Sequence, residues 1–240
     1  DAAVCPAGMM SAGLPPGVEV GAIFADGERA YRWVSCGRTG PGSLAHGATV
    51  VTWDDVSRAQ ILFRYPGLQV ESARGWTKVF SGLRQGIWGA ACLPPEVVDA
   101  GSLWGLDTGL IAIDEVMPAI GQGSAAILTP RAGVDPVVRG LNCPDRARRL
   151  RLESAFWWNV TDIPGTVVTA SARFEEGRVI VEGLVAEADG AWLVSDRGEA
   201  GEAYAAAVVR DVADSCREMT WGRRARKEIA AHALHGRRAS

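Results

Sequence analysis

Histidine is scarce in this chain: three residues in 240, with His46 standing alone ahead of His232 and His235 in the C-terminal tail. A histidine-rich metal centre is thereby excluded, since one histidine beside an acid supplies too few ligands. Cysteine is present five times (Cys5, Cys36, Cys92, Cys143, Cys216), an odd and scattered set with no CxxC pair. That pattern argues against a zinc ribbon or a disulfide framework and fits a reducing, cytoplasmic setting. An excess of one charge is also missing. Lys plus Arg number 25 against 28 Asp plus Glu, for a net charge of −3, which gives a nucleic acid no electrostatic footprint. No run reaches the roughly 18 to 20 apolar residues of a membrane span. The opening "DAAVCPAGMMSAGLPPG" lacks a basic start and an apolar centre. Residues 1–16 are therefore expected to form a flexible N-terminal segment rather than a signal peptide.

What is present is ordinary for a folded chain: 48% hydrophobic and 22% charged residues, enough to bury a sizeable core. Short β-like runs broken by turn residues dominate. "VEVGAIFADGERAYRWVSC" reads as two strands about an Asp-Gly turn. "ARFEEGRVIVEGLVAEADGAWLVSD" reads as three consecutive antiparallel strands, with turns at Glu176-Gly177 and Asp189-Gly190. The stretch "HGATVVTWDDVSRAQIL" places Ala48, Val51, Thr52, Asp55, Val56 and Ala59 on one stripe at helical spacing. "TGLIAIDEVM" does the same for Leu110, Ile113, Asp114 and Met117, with Pro118 as its stop. A long helix is expected from about Glu199 to His235, broken near Gly222. Its basic end is either a polyanion contact or a solvated terminus.

The two short helical stretches, about 60 residues apart, each carry an acidic pair, Asp54-Asp55 and Asp114-Glu115. This suggests a repeat with units at 17–98 and 99–197, followed by a helical segment at 198–240. The tryptophans Trp53, Trp88, Trp104, Trp157, Trp158 and Trp192 are read as core.

The chemistry concentrates in "GPGSLAHGATVVTWDD". A phosphate loop is one reading, since "GRTGPGS" (Gly37 to Ser43) is glycine-rich, but the lysine that would meet the phosphates is absent. Another is a turn at His46-Gly47 followed by a helix-borne acid. In this second form the stretch resembles the acyl-CoA thioesterases of the hotdog fold. They carry a His-Gly-Gly turn and a catalytic acid nine residues after the histidine, matched here by His46-Gly47-Ala48 and Asp55. The three closing strands are similar to the closing strands of that family.

The resemblance implies an α+β hotdog fold, an antiparallel sheet wrapped around a central helix, in tandem as a double hotdog with a C-terminal helix. It implies an enzyme hydrolysing an acyl thioester on coenzyme A or an acyl carrier. In that reading His46 polarises the thioester, the N–H after Gly47 stabilises the oxyanion, Asp55 is base or nucleophile, and Asp114 is its counterpart in the second unit. Arg148 and Arg149, clustered with Arg151, would meet the phosphates of a coenzyme A tail. No metal or redox cofactor is implied, coenzyme A entering only as part of the substrate, and a homodimer or internal pseudo-dimer is. Three alternatives stand beside it: a hydratase or dehydratase on an acyl thioester, a non-catalytic binding or assembly subunit, and a degenerate P-loop ATPase.

Overall fold

The computed structural model describes residues 2–8, 13–24, 27–37, 40–131 and 133–236, with side chains as far as residue 227. Three sheets organise the chain. The first is antiparallel, with β1 (Ala3–Pro6) and β2 (Val18–Phe24) on either side of β8 (Ala125–Pro130). The second has five strands in the order β5 (Gln69–Ser72), β4 (Thr49–Thr52), β6 (Ala90–Leu93), β3 (Arg32–Ser35) and β7 (Asp107–Leu110). In it β4 runs parallel to both β5 and β6, while β3 is antiparallel to β6 and β7. The third is the antiparallel meander β9 (Thr166–Glu175), β10 (Arg178–Glu187) and β11 (Leu193–Gly201).

The five-stranded sheet is wound on both faces. Helix α1 (Asp55–Arg64) follows β4, and its Ile61 packs with Val50, Ala90, Cys92 and Trp33. Helices α2 (Trp76–Arg84) and α3 (Pro95–Asp99) cover the other face, where Val79, Phe80, Leu83, Val97 and Val98 meet Val34, Val51, Ala91 and Leu93. Odd and even positions of each strand thus serve opposite faces, and both are apolar, as crossover helices require. Beyond β8 come α4 (Pro136–Gly140) and α5 (Pro144–Val160), and after β11 the chain closes with α6 (Ala205–Gly236).

The meander buries both faces as well. Val179, Val181 and Val185 of β10 pack with Phe156 of α5 and Val209 and Val212 of α6. Leu184 and Ala186 face the other way, onto Ala59 of α1 and Met117. Helix α1 is thus gripped between two sheets. Gln60 reinforces the grip, since its amide accepts from Met117 N (2.8 Å) and donates to Met117 O (2.9 Å).

Several expectations are corrected here. The hotdog architecture is absent, because residues 49–52 are a strand and the helix begins only at Asp55. The β-branched run Thr49-Val50-Val51-Thr52 decides this, as such side chains lose rotamer freedom in a helix and pack well on a pleat. "TGLIAIDEVM" is not helical either: Asp107–Leu110 form the exposed edge strand β7, and the chain turns through residues 113–117. The repeat and the internal pseudo-dimer fall with it, since β4 is a central parallel strand and β7 an antiparallel edge. The five-stranded sheet also draws β7 from beyond residue 98, and β1 lies within the segment read as flexible. The strands of "VEVGAIFADGERAYRWVSC" exist but pair elsewhere, β2 with β8 and β3 with β6 and β7; Asp26 of their turn lies outside the described residues. Trp88 and Trp192 are core, whereas Trp104 and Trp158 are 83% and 59% exposed.

The closing meander forms as expected, and the terminal helix runs unbroken through Gly222. A Cβ at Gly222 would meet nothing nearer than Arg226 Nη2 at 3.9 Å. Gly222→Ala is therefore expected to stabilise the chain by about 0.5 to 1 kcal/mol through backbone entropy and helix propensity. Differential scanning calorimetry should show a rise in Tm of a few degrees; a fall would mean that the helix does not continue there.

Candidate active site at the head of helix α1

In doubly wound sheets a ligand crevice opens at the carboxyl ends of the parallel strands, where the winding reverses. Here β4 is the reversal strand, its following helix lying on one face and the helices before and after β6 on the other. Its carboxyl end leads through Trp53 to Asp54, the N-cap of α1. Asp54 Oδ1 accepts from Ser57 N (2.7 Å), satisfying one of the free donors of the first turn. Its other oxygen accepts from the Tyr31 hydroxyl (2.8 Å). Burial pushes the Asp54 carboxyl above its ordinary range, against the pull of Ser57 and Tyr31. Burial, and then the neighbouring Asp54, hold the Tyr31 phenol well above its ordinary range, so it remains a donor.

Asp54 therefore braces the helix from behind, and Asp55, the next residue, faces outward. A pocket of about 440 Å³ opens there, lined by Asp55, Val56, Gly8, Ala119, Ile120, Trp157, Thr161, Thr166, Val167 and Val168. Four parts of the chain converge on it: the segment after β1, the head of α1, residues 119–120 ahead of β8, and the end of α5 with the start of β9. Its walls are apolar apart from two threonines and one carboxylate. Thr166 Oγ1 is engaged, donating to Ile163 O (2.7 Å). Among the described residues Asp55 is the pocket's sole charged side chain. Such a site suits a flat, largely apolar ligand carrying one cationic or N–H group.

The other residues singled out in the sequence are not gathered here. His46 and Gly47 form a turn before β4, while Asp55 follows it. At roughly 3.3 Å per residue the four residues of β4 alone separate them by about 13 Å. Gly47 adopts a φ of +80°, and its N–H donates to Gly67 O (2.7 Å). The His46 ring lies over Gly67, where a Cβ would come within 3.0 Å of Cδ2. The pair thus belongs to a turn at the far edge of the sheet. Asp114 is exposed, and it is its carbonyl that accepts from Arg64 (2.8 Å). Arg148 is committed to Glu202 and to the Phe174 ring, 4.2 Å from its centroid, and half-buried Arg149 lines a small internal cavity together with Glu153 and Gln122. The glycine-rich approach to His46 forms a short turn at Pro41–Ser43 and leads into a strand, so it puts no helix N-terminus behind a phosphate.

The fold and the pocket together define a doubly wound α/β protein with a cavity at the carboxyl edge of its parallel strands. No protein-family model matches the chain. It is 32% identical over 216 residues to the porphobilinogen deaminase of Acidithiobacillus ferrooxidans, covering 81% of this chain and 67% of that enzyme. It is 29% identical over 207 residues to that of Thiobacillus denitrificans, with 84% and 67% coverage, and 32% identical over 198 residues to that of Rubrobacter xylanophilus, with 79% and 63% coverage. The chain belongs to the porphobilinogen deaminase family, and it spans about two thirds of the length of these relatives. Among solved structures, a TRAP periplasmic solute-binding protein from Escherichia fergusonii aligns over 55% of this chain and 42% of its own, with 14% identity and a TM-score of 0.33. This membership replaces the thioesterase reading, with its acyl-CoA or acyl-carrier substrate and its hydratase and P-loop ATPase alternatives.

Proposed function

We propose that the chain binds porphobilinogen, an aminomethyl-bearing pyrrole, in the pocket at the head of α1 and acts on it as a deaminase. The observation that carries this reading is the pocket's composition: apolar walls, the Trp157 ring, and Asp55 as its single charge among the described residues. Family membership supports the substrate. Loss of the amino group as ammonia breaks the bond between the exocyclic carbon and nitrogen. The proton comes with the ammonium form of the amine, and positive charge is left on the ring until the free α-carbon of a second porphobilinogen bonds to the exocyclic carbon and gives up its ring proton. A fixed carboxylate beside that ring stabilises the charge as it develops. Asp55 is the group in position to do this, while Asp54 stays engaged with Ser57 and Tyr31. A cytoplasmic setting belongs to the same proposal and is supported by the five free cysteines; among the described residues no helix is long and apolar enough to cross a membrane.

The test is porphobilinogen consumption and ammonia release by the purified chain and by Asp55→Asn. Asp55→Asn preserves shape and removes the charge, so it is expected to lower the rate about a hundredfold or more, in the range seen when one transition-state stabiliser is deleted, with little change in Tm. Equal rates for the two proteins would remove Asp55 from the chemistry. A wild-type chain that leaves porphobilinogen unchanged would overturn the deaminase reading.

A further inference from the structure

A second and larger cavity, of about 550 Å³, lies on the outer side of α5, between that helix, α4 and strand β2. Its α5 wall is a single helical stripe: Ala147, Leu150, Arg151, Ser154, Ala155 and Trp158 stand at i, i+3, i+4, i+7, i+8 and i+11. Its floor is the β2 segment around Gly21, where the strand bulges against β8. Gly21 is needed there, because a Cβ would approach Val138 Cγ1 to 2.9 Å and Thr129 Cγ2 to 3.0 Å. The bulge thus brings α4 close enough to present Arg139 and Asn142 to the same space.

The polar groups of this cavity are all able to donate. Among the described residues the Arg139 and Arg151 side chains have no hydrogen-bond or ion-pair partner, and no Asp or Glu lines the cavity. Asn142 spends its carbonyl oxygen on Ile23 N (2.9 Å), which leaves its NH2 as the free end. Ser154 adds a hydroxyl. Opposite these donors lie Val20, Ala22, Ile23 and Leu150, with the Trp158 indole at the rim. That indole is 59% exposed, yet it is fixed edge-on against Trp157 with centroids 4.8 Å apart and planes at 83°. Two guanidinium groups lining one cavity, an amide NH2, an apolar wall and an aromatic ring complement one kind of ligand. It is a flat apolar body bearing a carboxylate, the group that planar guanidinium forks hold bidentately.

We propose that this cavity is a binding site for aromatic carboxylates, separate from the pocket at the head of α1. It draws on Arg139, Arg151 and Trp158, none of which lines that pocket. Isothermal titration calorimetry of the full chain with 2-naphthoate provides the test, with 2-naphthyl phosphate and 2-naphthylmethylamine as the phosphate and cation arms. The expected result is one-to-one binding of 2-naphthoate, binding of the amine only through the pocket at the head of α1 and therefore lost in Asp55→Asn, and a phosphate affinity no tighter than the carboxylate. Arg151→Glu and Trp158→Ala, both at exposed positions, should each weaken 2-naphthoate at least tenfold with an unchanged far-ultraviolet circular dichroism spectrum, whereas Asp55→Asn should leave it unaltered. Binding of 2-naphthoate that survives Arg151→Glu, binding of 2-naphthoate that is lost in Asp55→Asn, binding of the amine that persists in Asp55→Asn, or tighter binding of the phosphate would each overturn the assignment.

Discussion

Glu153→Ala is expected to destabilise the chain by about 3 to 5 kcal/mol, the range for removing one partner of a buried ion pair. Glu153 is 2% exposed and its partner Arg29 12%, with 2.7 Å between Arg29 Nη2 and Glu153 Oε1. The same Oε1 accepts from Ala172 N (3.1 Å) in β9. Arg29 in turn offers its carbonyl to the Gln122 side-chain amide. One carboxylate on α5 therefore ties the approach to β3, the turn before β8 and the meander, so all three sheets converge on it. Truncation leaves a guanidinium without its counter-charge and a strand N–H without its acceptor, and both losses add to the cost. For a chain of this size about 1 kcal/mol moves Tm by roughly 2 to 4 °C, so calorimetry should show a fall of about 6 to 20 °C. A fall of under about 3 °C would show that the three sheets do not depend on this pair.

Which parts of this fold were legible in the sequence follows from how local their determinants are. The meander was, because its turns are made within the chain's own neighbourhood. Glu176 and Gly177 take φ values of 48° and 74°, the doubly positive pair that matches the twist of a hairpin. Strand β4 was not, because Val51 and Thr52 of its β-branched run also fall on a helical stripe with Asp55, Val56 and Ala59, and its partners β5 and β6, which hold the run as a strand, arrive from 20 to 40 residues away. A better local signal lay two residues on, where Asp54 precedes Ser57 at N-cap spacing and marks where the helix starts. Asp55 was legible as a candidate acid, but for a chemistry that the structure does not assemble. Its neighbours in the pocket come from residue 8, residues 119–120 and residues 157–168, and no spacing in the sequence ties those segments to it.

Asp54→Ala carries the second large effect, and Asp54→Asn separates its causes. Loss of an N-cap costs about 0.5 to 2 kcal/mol, and leaving the buried Tyr31 hydroxyl without its acceptor costs about 1 to 3 kcal/mol. Because the two share one carboxylate they are not independent, and about 2 to 4 kcal/mol is expected for Asp54→Ala at neutral pH. Asparagine keeps an acceptor for Ser57 N and removes the charge that burial penalises. The folded-state pKa of Asp54 is raised, so the folded chain holds this proton to higher pH than the unfolded chain, whose carboxyl titrates near about 3.9. The carboxyl's contribution to stability is therefore fully present below about 3.9, declines as pH rises through the raised folded value, and stays lowered above it. Asp54→Asn does not titrate, so its stability relative to the wild type is expected to rise across that same window and then level off. Denaturant unfolding of both proteins from pH 4 to pH 8 gives the slope. A relative stability that falls with pH would mean that the Asp54 carboxylate is stabilised in its charged form by Ser57 and Tyr31 more strongly than burial opposes it. Asp54 would then be an electrostatic anchor at the head of α1, as well as the brace that leaves Asp55 free to face the pocket.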